Sequence, residues 1–350
     1  MIVTLIIGNG FDLNMGLPTS YSDFYKYYLQ VDSPKSTNLI KQEIGKKPRN
    51  WADLEKSLGE ISKMYLQDSD AYIEAFENVR DELALYLKEV DRYEIPNLDT
   101  FATFLLKDVL EVDRFLDNKP KREYRLFLEG VDFSNEIELT VVNFNYTSTV
   151  EKMMAVQKTA ELPPKKVIFK DVIHVHHDLS TGILMGVNDT SQIANEEFGE
   201  LFDIQSMMVK PFINDSFAAG NDHKAYSALL AADVIILFGT SFGETDNLWW
   251  EHLKNAVYNT KVRIIYCPFE NDRVKPMHET NVIRKIHYYK ESLAKRLSSG
   301  NLIVEANLYS KIYPIRNNHL FSFGFTQWNR DMTREKIIKR IMNNRDYIEL

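Results

Sequence analysis

A chain of 350 residues, 44% hydrophobic and 26% charged, has the make-up of an ordinary globular protein with a large core, arranged as one large domain or two unequal ones. Its net charge of -8 argues against a broad nucleic-acid surface, and no run of about 18 apolar residues offers a membrane span. The single cysteine, Cys267, excludes an internal disulfide and a four-cysteine zinc ribbon; with no secretory signal read at the N-terminus, a cytoplasmic location is expected.

Residues 2–7 form a short Ile- and Leu-rich run, suited to a buried strand and too short for a helix. Gly8 and Gly10 follow, where the backbone can turn sharply and expose amides to a pyrophosphate. The dinucleotide pattern G-x-G-x-x-G fails at Leu13, and no Gly-Lys-Ser/Thr marks a Walker A loop. A plain glycine turn after a core strand is the alternative. On the nucleotide reading, a Cβ at Gly10 is expected to block binding while sparing the fold.

Residues 21–30 carry Tyr and Phe at helical spacing, and residues 33–50, with Pro34, Gly45 and Pro48, read as a loop. A helix opens after Trp51. Between residues 70 and 90 the set Tyr72, Phe76, Val79, Leu83, Tyr86 and Val90 steps by three and four, as an amphipathic helix does. Further helices are expected over 99–116 and 124–128. Residues 25–130 therefore read as a helical insertion after the first strand of a core formed by residues 1–24 and 131–350.

Strands are expected at 138–145, 167–176, 183–187, 233–238 and 261–267, with a weaker one at 302–306 and a basic helix at the end. Asp246 is placed to cap the helix carrying Trp249 and Trp250, of which at most one should face the core fully. Strands alternating with helices predict an α/β, Rossmann-like, mainly parallel sheet covered on both faces. Such sheets bind ligands beyond the carboxyl ends of their strands. Four expected ends carry polar or glycine-rich text: Gly8-Asn9-Gly10, residues 143–147, residues 174–177 and Gly239-Thr240-Ser241.

Within that text Asn145 is either a site residue or an ordinary turn asparagine. His174 and His176 share one strand face while His177 points away; one of them is read as structural, and which of the three is functional stays open. A metal site from His174, His176 and Asp178 rests on spacing alone, and no metal is expected. Asp12 either caps the helix after the loop or accepts a ribose hydroxyl.

The string G-N-G-F-D-L-N-M-G-L-P-T-S-Y-S-D-F at 8–24 resembles the opening of the AbiH family of phage abortive-infection proteins. The resemblance continues through W-A-D-L-E at 51–55 and G-T-S-F-G-E-T-D at 239–246. Four shorter pieces resemble sirtuin motifs in sirtuin order. Gly8, Gly10 and Gly16-Leu17-Pro18 match the glycine loop; N-F-N-Y-T at 143–147 resembles T-Q-N-I-D; V-H-H-D-L at 175–179 resembles V-H-G-x-L; and Gly239-Thr240-Ser241 matches G-T-S. Thr147 stands where sirtuins have aspartate and His177 where they have glycine. The arginine of D-F-R is missing at Thr19-Ser20-Tyr21, so lysine deacylation is not expected.

The resemblance implies a sirtuin-like core that binds NAD as substrate, cleaves its nicotinamide–ribose bond and so serves phage defence. His176 would be the base and Asn145 would orient ribose or water. Gly8, Asn9, Gly10, Phe11, Asp12 and Gly16 would hold the pyrophosphate side, and Gly239, Thr240 and Ser241 the adenosine side. A phage or host protein trigger and a homo-oligomer are the partners considered. The alternative is a non-catalytic module that binds a nucleotide, or senses phage, and acts through protein partners.

Overall fold

The computed structural model describes residues 1–31, 38–51, 53–131, 135–217, 220–268, 279–315, 320–323 and 327–343. Seven strands make one sheet: β1 (Ile2–Ile7), β2 (Glu136–Asn143), β3 (Thr159–Leu162), β4 (Lys165–His174), β5 (Val234–Phe238), β6 (Arg263–Cys267) and β7 (Ile312–Pro314). Their order is β3-β4-β2-β1-β5-β6-β7, and all neighbours are parallel except β3 against β4. This is the Rossmann-like α/β build expected from the alternating elements.

Both faces of the central strands are buried, and the period of two sorts their side chains. Val3, Leu5, Ile7, Val141 and Ile236 join one apolar cluster, while Ile6, Val142, Ile235 and Leu237 join the other. Thr4, the one polar residue of β1, donates its hydroxyl to the Ala228 carbonyl at 2.9 Å and so is satisfied.

The register brings four strands to an end at one level. Ile7 pairs with Asn143 and with Phe238, and Asn143 pairs with His174. From β1 the chain crosses to β2 and β4 on one side, and β5 then leads to β6 on the other. The connections that follow β1 and β5 therefore run to opposite sides of the sheet, the switch point beside which such sheets bind ligands.

Between β1 and β2 lie the helices Tyr21–Tyr28, Leu39–Lys46, Leu54–Ile61, Ser69–Asp91, Leu98–Leu110 and Asn118–Glu129. Asp68 caps the longest by accepting from the Ala71 amide at 3.0 Å. Its predicted stripe, Tyr72 to Val90, is buried throughout, and it shares one apolar cluster with β1 and β2. Tyr86 also donates to the Pro18 carbonyl at 2.7 Å, tying this helix to the chain just after the glycine loop.

Several local expectations are corrected. Residues 38–46 are a cap and a helix, not loop: Asn38 accepts from the Lys41 amide, and Ile40 and Ile44, four apart, are fully buried. The expected loop also includes residues 33–37, which lie outside the described residues. Residues 183–187 form no strand beyond a bridge at Val187. Their amides are taken elsewhere, Leu184 by the His176 carbonyl and Gly186 by Glu55.

Leu302–Lys311 is a helix capped by Asn301, and the strand follows it as β7; a three-residue apolar run carries no period to tell the two apart. β4 ends at His174, so His176 sits in a turn. Trp249 and Trp250 are both buried. Trp250 stacks on Phe144 (5.4 Å, 9°), and Trp249 meets the same ring edge-on at 5.9 Å. No helix among the described residues is long and apolar enough to cross a membrane.

Candidate active site at the strand ends

Gly8 and Gly10 are packed against the β5 loop. Their amides donate to the carbonyls of Phe238 and Gly239, each at 3.0 Å. A Cβ on Gly10 would lie 2.5 Å from the Gly239 Cα, and one on Gly8 would lie 2.7 Å from the Gly239 oxygen. Gly239 itself has a φ of +68°, which side chains rarely adopt. The three glycines thus interlock two loops, and this corrects the expectation that Gly10→Val spares the fold. Gly10→Val should instead cost at least about 2 kcal/mol of stability, read as a lower midpoint in urea or heat; an unchanged midpoint would contradict the interlock.

The β2 loop is held from three sides. Asn143 Oδ1 accepts from the Asn145 amide at 2.9 Å, an Asx turn, and Asn145 Nδ2 donates to the Gly8 carbonyl at 3.1 Å. The Asn145 carbonyl accepts from His174 Nδ1 at 2.8 Å, and His174 Nε2 faces Glu151. Burial alone would lower the His174 pKa; the carboxylate and the carbonyl outweigh burial and hold it above the usual value.

Thr147 donates its hydroxyl to Asp12 Oδ2 at 2.6 Å, joining the β2 loop to the short helix after the glycine loop. Asp12 is no cap. It lies in the first turn of the short Gly10–Asn14 helix, whose N-cap is Asn9. Burial pushes its carboxyl up to about 6 against the hydroxyls of Thr147 and Thr149, with the charges of Asp91 and Glu151 adding to the rise.

His176 is buried, with Nε2 2.8 Å from Asp246 Oδ1, a close contact not aligned as a hydrogen bond. Asp246 does not use its side chain to cap the Trp249 helix. It turns inward to the buried Lys210, whose ammonium donates to Asp246 Oδ1 at 2.6 Å and to Glu55 Oε2 at 3.0 Å. Glu55 also accepts from the Thr245 hydroxyl and the Gly186 amide. Burial would raise Asp246, but Lys210 and His176 overcome it and hold the carboxyl well below its usual range. In turn the two carboxylates outweigh burial at Lys210 and raise its pKa.

Glu55, His176, Thr245 and Asp246 border a cavity of about 1250 Å³. Of the expected residues, Gly8, Asn9, Gly10, Asp12, Asn145 and His176 line it together with Gly239, Thr240 and Ser241. Asn9 uses its side-chain amide to close the loop on the Thr19 carbonyl at 3.0 Å. Phe11 and Gly16 are placed elsewhere. Phe11 is core, edge-on to Phe238, Phe321 and Phe323, and Gly16 turns at φ +80° against the backbone of Arg330. His177 adopts a φ of +61°, the left-handed shape glycine takes freely, and it is not among the lining residues.

His174 and His176 face different carboxylates, and no group of three or more His, Cys, Asp or Glu is placed to hold a metal among the described residues. Sequence reasoning passed over Glu55 and Lys210 and read Asp246 only as a helix cap. Glu55 and Asp246 close the strings W-A-D-L-E and G-T-S-F-G-E-T-D, which was the available signal; Lys210 lies in no motif.

The fold and site define an α/β protein of Rossmann-like build with a large cavity across the carboxyl ends of β4, β2, β1 and β5. The chain belongs to the bacteriophage abortive infection AbiH family, whose pattern matches residues 4–267, from β1 through β6. Membership places it among phage abortive-infection proteins. No curated protein matches the chain.

Proposed function

We propose that this protein halts phage infection by consuming NAD, hydrolysing the bond between nicotinamide and ribose. The observation that carries the reading is His176, backed by an ionised Asp246, beside Asn145 on one cavity. The volume exceeds the usual range of roughly 300–1,000 Å³ for small-molecule pockets and suits an extended ligand such as a dinucleotide. Fission of the bond makes an oxocarbenium-like centre. The ionised Asp246 beside His176 on the lining favours a centre gaining positive charge.

In the proposed step water bonds to the ribose carbon and its proton passes to His176. The carbon–nitrogen bond breaks with its electron pair on the ring nitrogen, and neutral nicotinamide leaves. Asn145 would orient the ribose or the water, Gly239, Thr240 and Ser241 the adenosine side. A second reading, a module that binds a nucleotide without cleaving it and acts through protein partners, draws on one feature. The Gly8 and Gly10 amides are already bonded, so the loop has fewer amides to offer a pyrophosphate.

Incubation of the protein with NAD, alone and with lysate from phage-infected cells, tests the proposal. Equal amounts of free nicotinamide and adenosine diphosphate ribose are expected. No nicotinamide under either condition would leave the binding module as the better reading.

A further inference from the structure

Asp12 carries a feature that its fold does not account for. The residue is 1% exposed and one oxygen takes the Thr147 hydroxyl; the nearby Thr149 hydroxyl donates to Thr147 at 3.3 Å, and the other oxygen, Oδ1, is buried with no hydrogen-bond partner. Buried polar atoms are almost always paired, and an orphan bordering a cavity is best understood as half of an interaction completed by a ligand. We infer that Asp12 Oδ1 is the acceptor for a sugar hydroxyl of the bound nucleotide, which makes Asp12 a specificity residue of the proposed site. The inference rests on the nucleotide reading above and adds to it the group that is recognised.

The chemistry around Asp12 selects a hydroxyl over a cation. Asp91, at the end of the Ser69–Asp91 helix, and Glu151, on the Thr149–Val156 helix, add negative charge near it, while Thr147 and Thr149 supply hydroxyls. Asp91 is matched by Lys152 at 3.0 Å, and Glu151 Oε1 by His174. Burial keeps Asp12 readily protonated, with a pKa of about 6. A hydroxyl can donate to the carboxylate or accept from the carboxylic acid, whereas an ammonium suits only the ionised form. A neutral partner is also far cheaper to bury than an ion.

The test uses Asp12→Asn, which keeps the shape and a bond to Thr147 but removes the charge. By calorimetry, NAD and adenosine diphosphate ribose should each bind about 10- to 100-fold more weakly to the variant, the range for a hydrogen bond to a charged group. At pH 6 wild-type binding should release protons, because a donated hydroxyl favours the carboxylate, and the variant should release none. The variant should melt no lower than wild type at pH 8, since a half-partnered buried carboxylate disfavours the fold above its pKa. Equal affinities in wild type and variant would overturn the inference. So would a loss confined to NAD with adenosine diphosphate ribose unaffected, because the donor would then sit on the nicotinamide end. If neither compound binds the wild type, the nucleotide reading itself falls.

Discussion

His176→Ala is expected to lower nicotinamide release by about 10²–10⁴-fold, the usual worth of general-base catalysis, and to leave the NAD dissociation constant nearly unchanged. The separation follows from where the histidine acts. A base that takes a proton from water or a ribose hydroxyl works in the transition state, so its loss appears in kcat rather than in ground-state binding. Asp246, 2.8 Å away, holds the ring in place, and Lys210 keeps that carboxylate charged. Asp246→Asn, which preserves shape and removes charge, should therefore also lower kcat. His174→Ala should act differently: its Nδ1 supports the Asn145 carbonyl, so the change loosens the β2 loop and costs stability more than rate. Single-turnover cleavage with parallel calorimetry decides the matter. If wild type and His176→Ala release nicotinamide equally fast, the base has been misassigned.

Lys210→Met is expected to destabilise the fold by about 3–5 kcal/mol, the cost of leaving buried carboxylates without their cation. Lys210 and Glu55 each keep 7% of their side-chain surface, and one ammonium serves both Glu55 and Asp246. The methylene stem can be replaced by Met; the charge cannot. Adding Glu55→Gln and Asp246→Asn to Lys210→Met should restore much of the loss, because no buried charge then remains uncompensated.

The sign of the pH dependence provides a second check. In the wild type the depressed Asp246 pKa contributes stability above the unfolded aspartate value, and that contribution is lost as pH falls toward the folded value. In Lys210→Met burial instead raises the Asp246 carboxyl. The variant should therefore regain stability as pH falls from the raised folded value to the unfolded one, above the range in which wild type loses it. Urea midpoints at several pH values measure both effects. An unchanged midpoint at pH 7 would show that the network carries no stabilising charge balance.

Elements with a long local period are legible in the amino-acid pattern alone. The Ser69–Asp91 helix repeats its apolar step over six residues, and β1 and β5 are almost wholly apolar over strand length, as only a strand buried on both faces needs to be. Short apolar runs give no such handle. Residues 183–187 and 302–306 both read as strands. The first lost its amides to Glu55 and other distant acceptors, and the second was drawn into a helix by the Asn301 cap. In each, hydrogen-bond partners outweighed a weak local preference.

By itself the sequence determined which groups emerge at the rim: glycines after β1 and β5, an Asn-rich turn after β2 and a histidine turn after β4. Those residues follow their strands directly in the chain, and a parallel sheet puts all such ends on one edge. Only the tertiary structure decided what those groups meet. Gly10 is locked on Gly239, Thr147 on Asp12, and His176 on an Asp246 that Lys210 holds charged, with Glu55 reaching in from a helix between β1 and β2. Each pairing joins residues far apart in the chain, and its energy comes from burial that exists only once the layers have closed, so no local pattern records it.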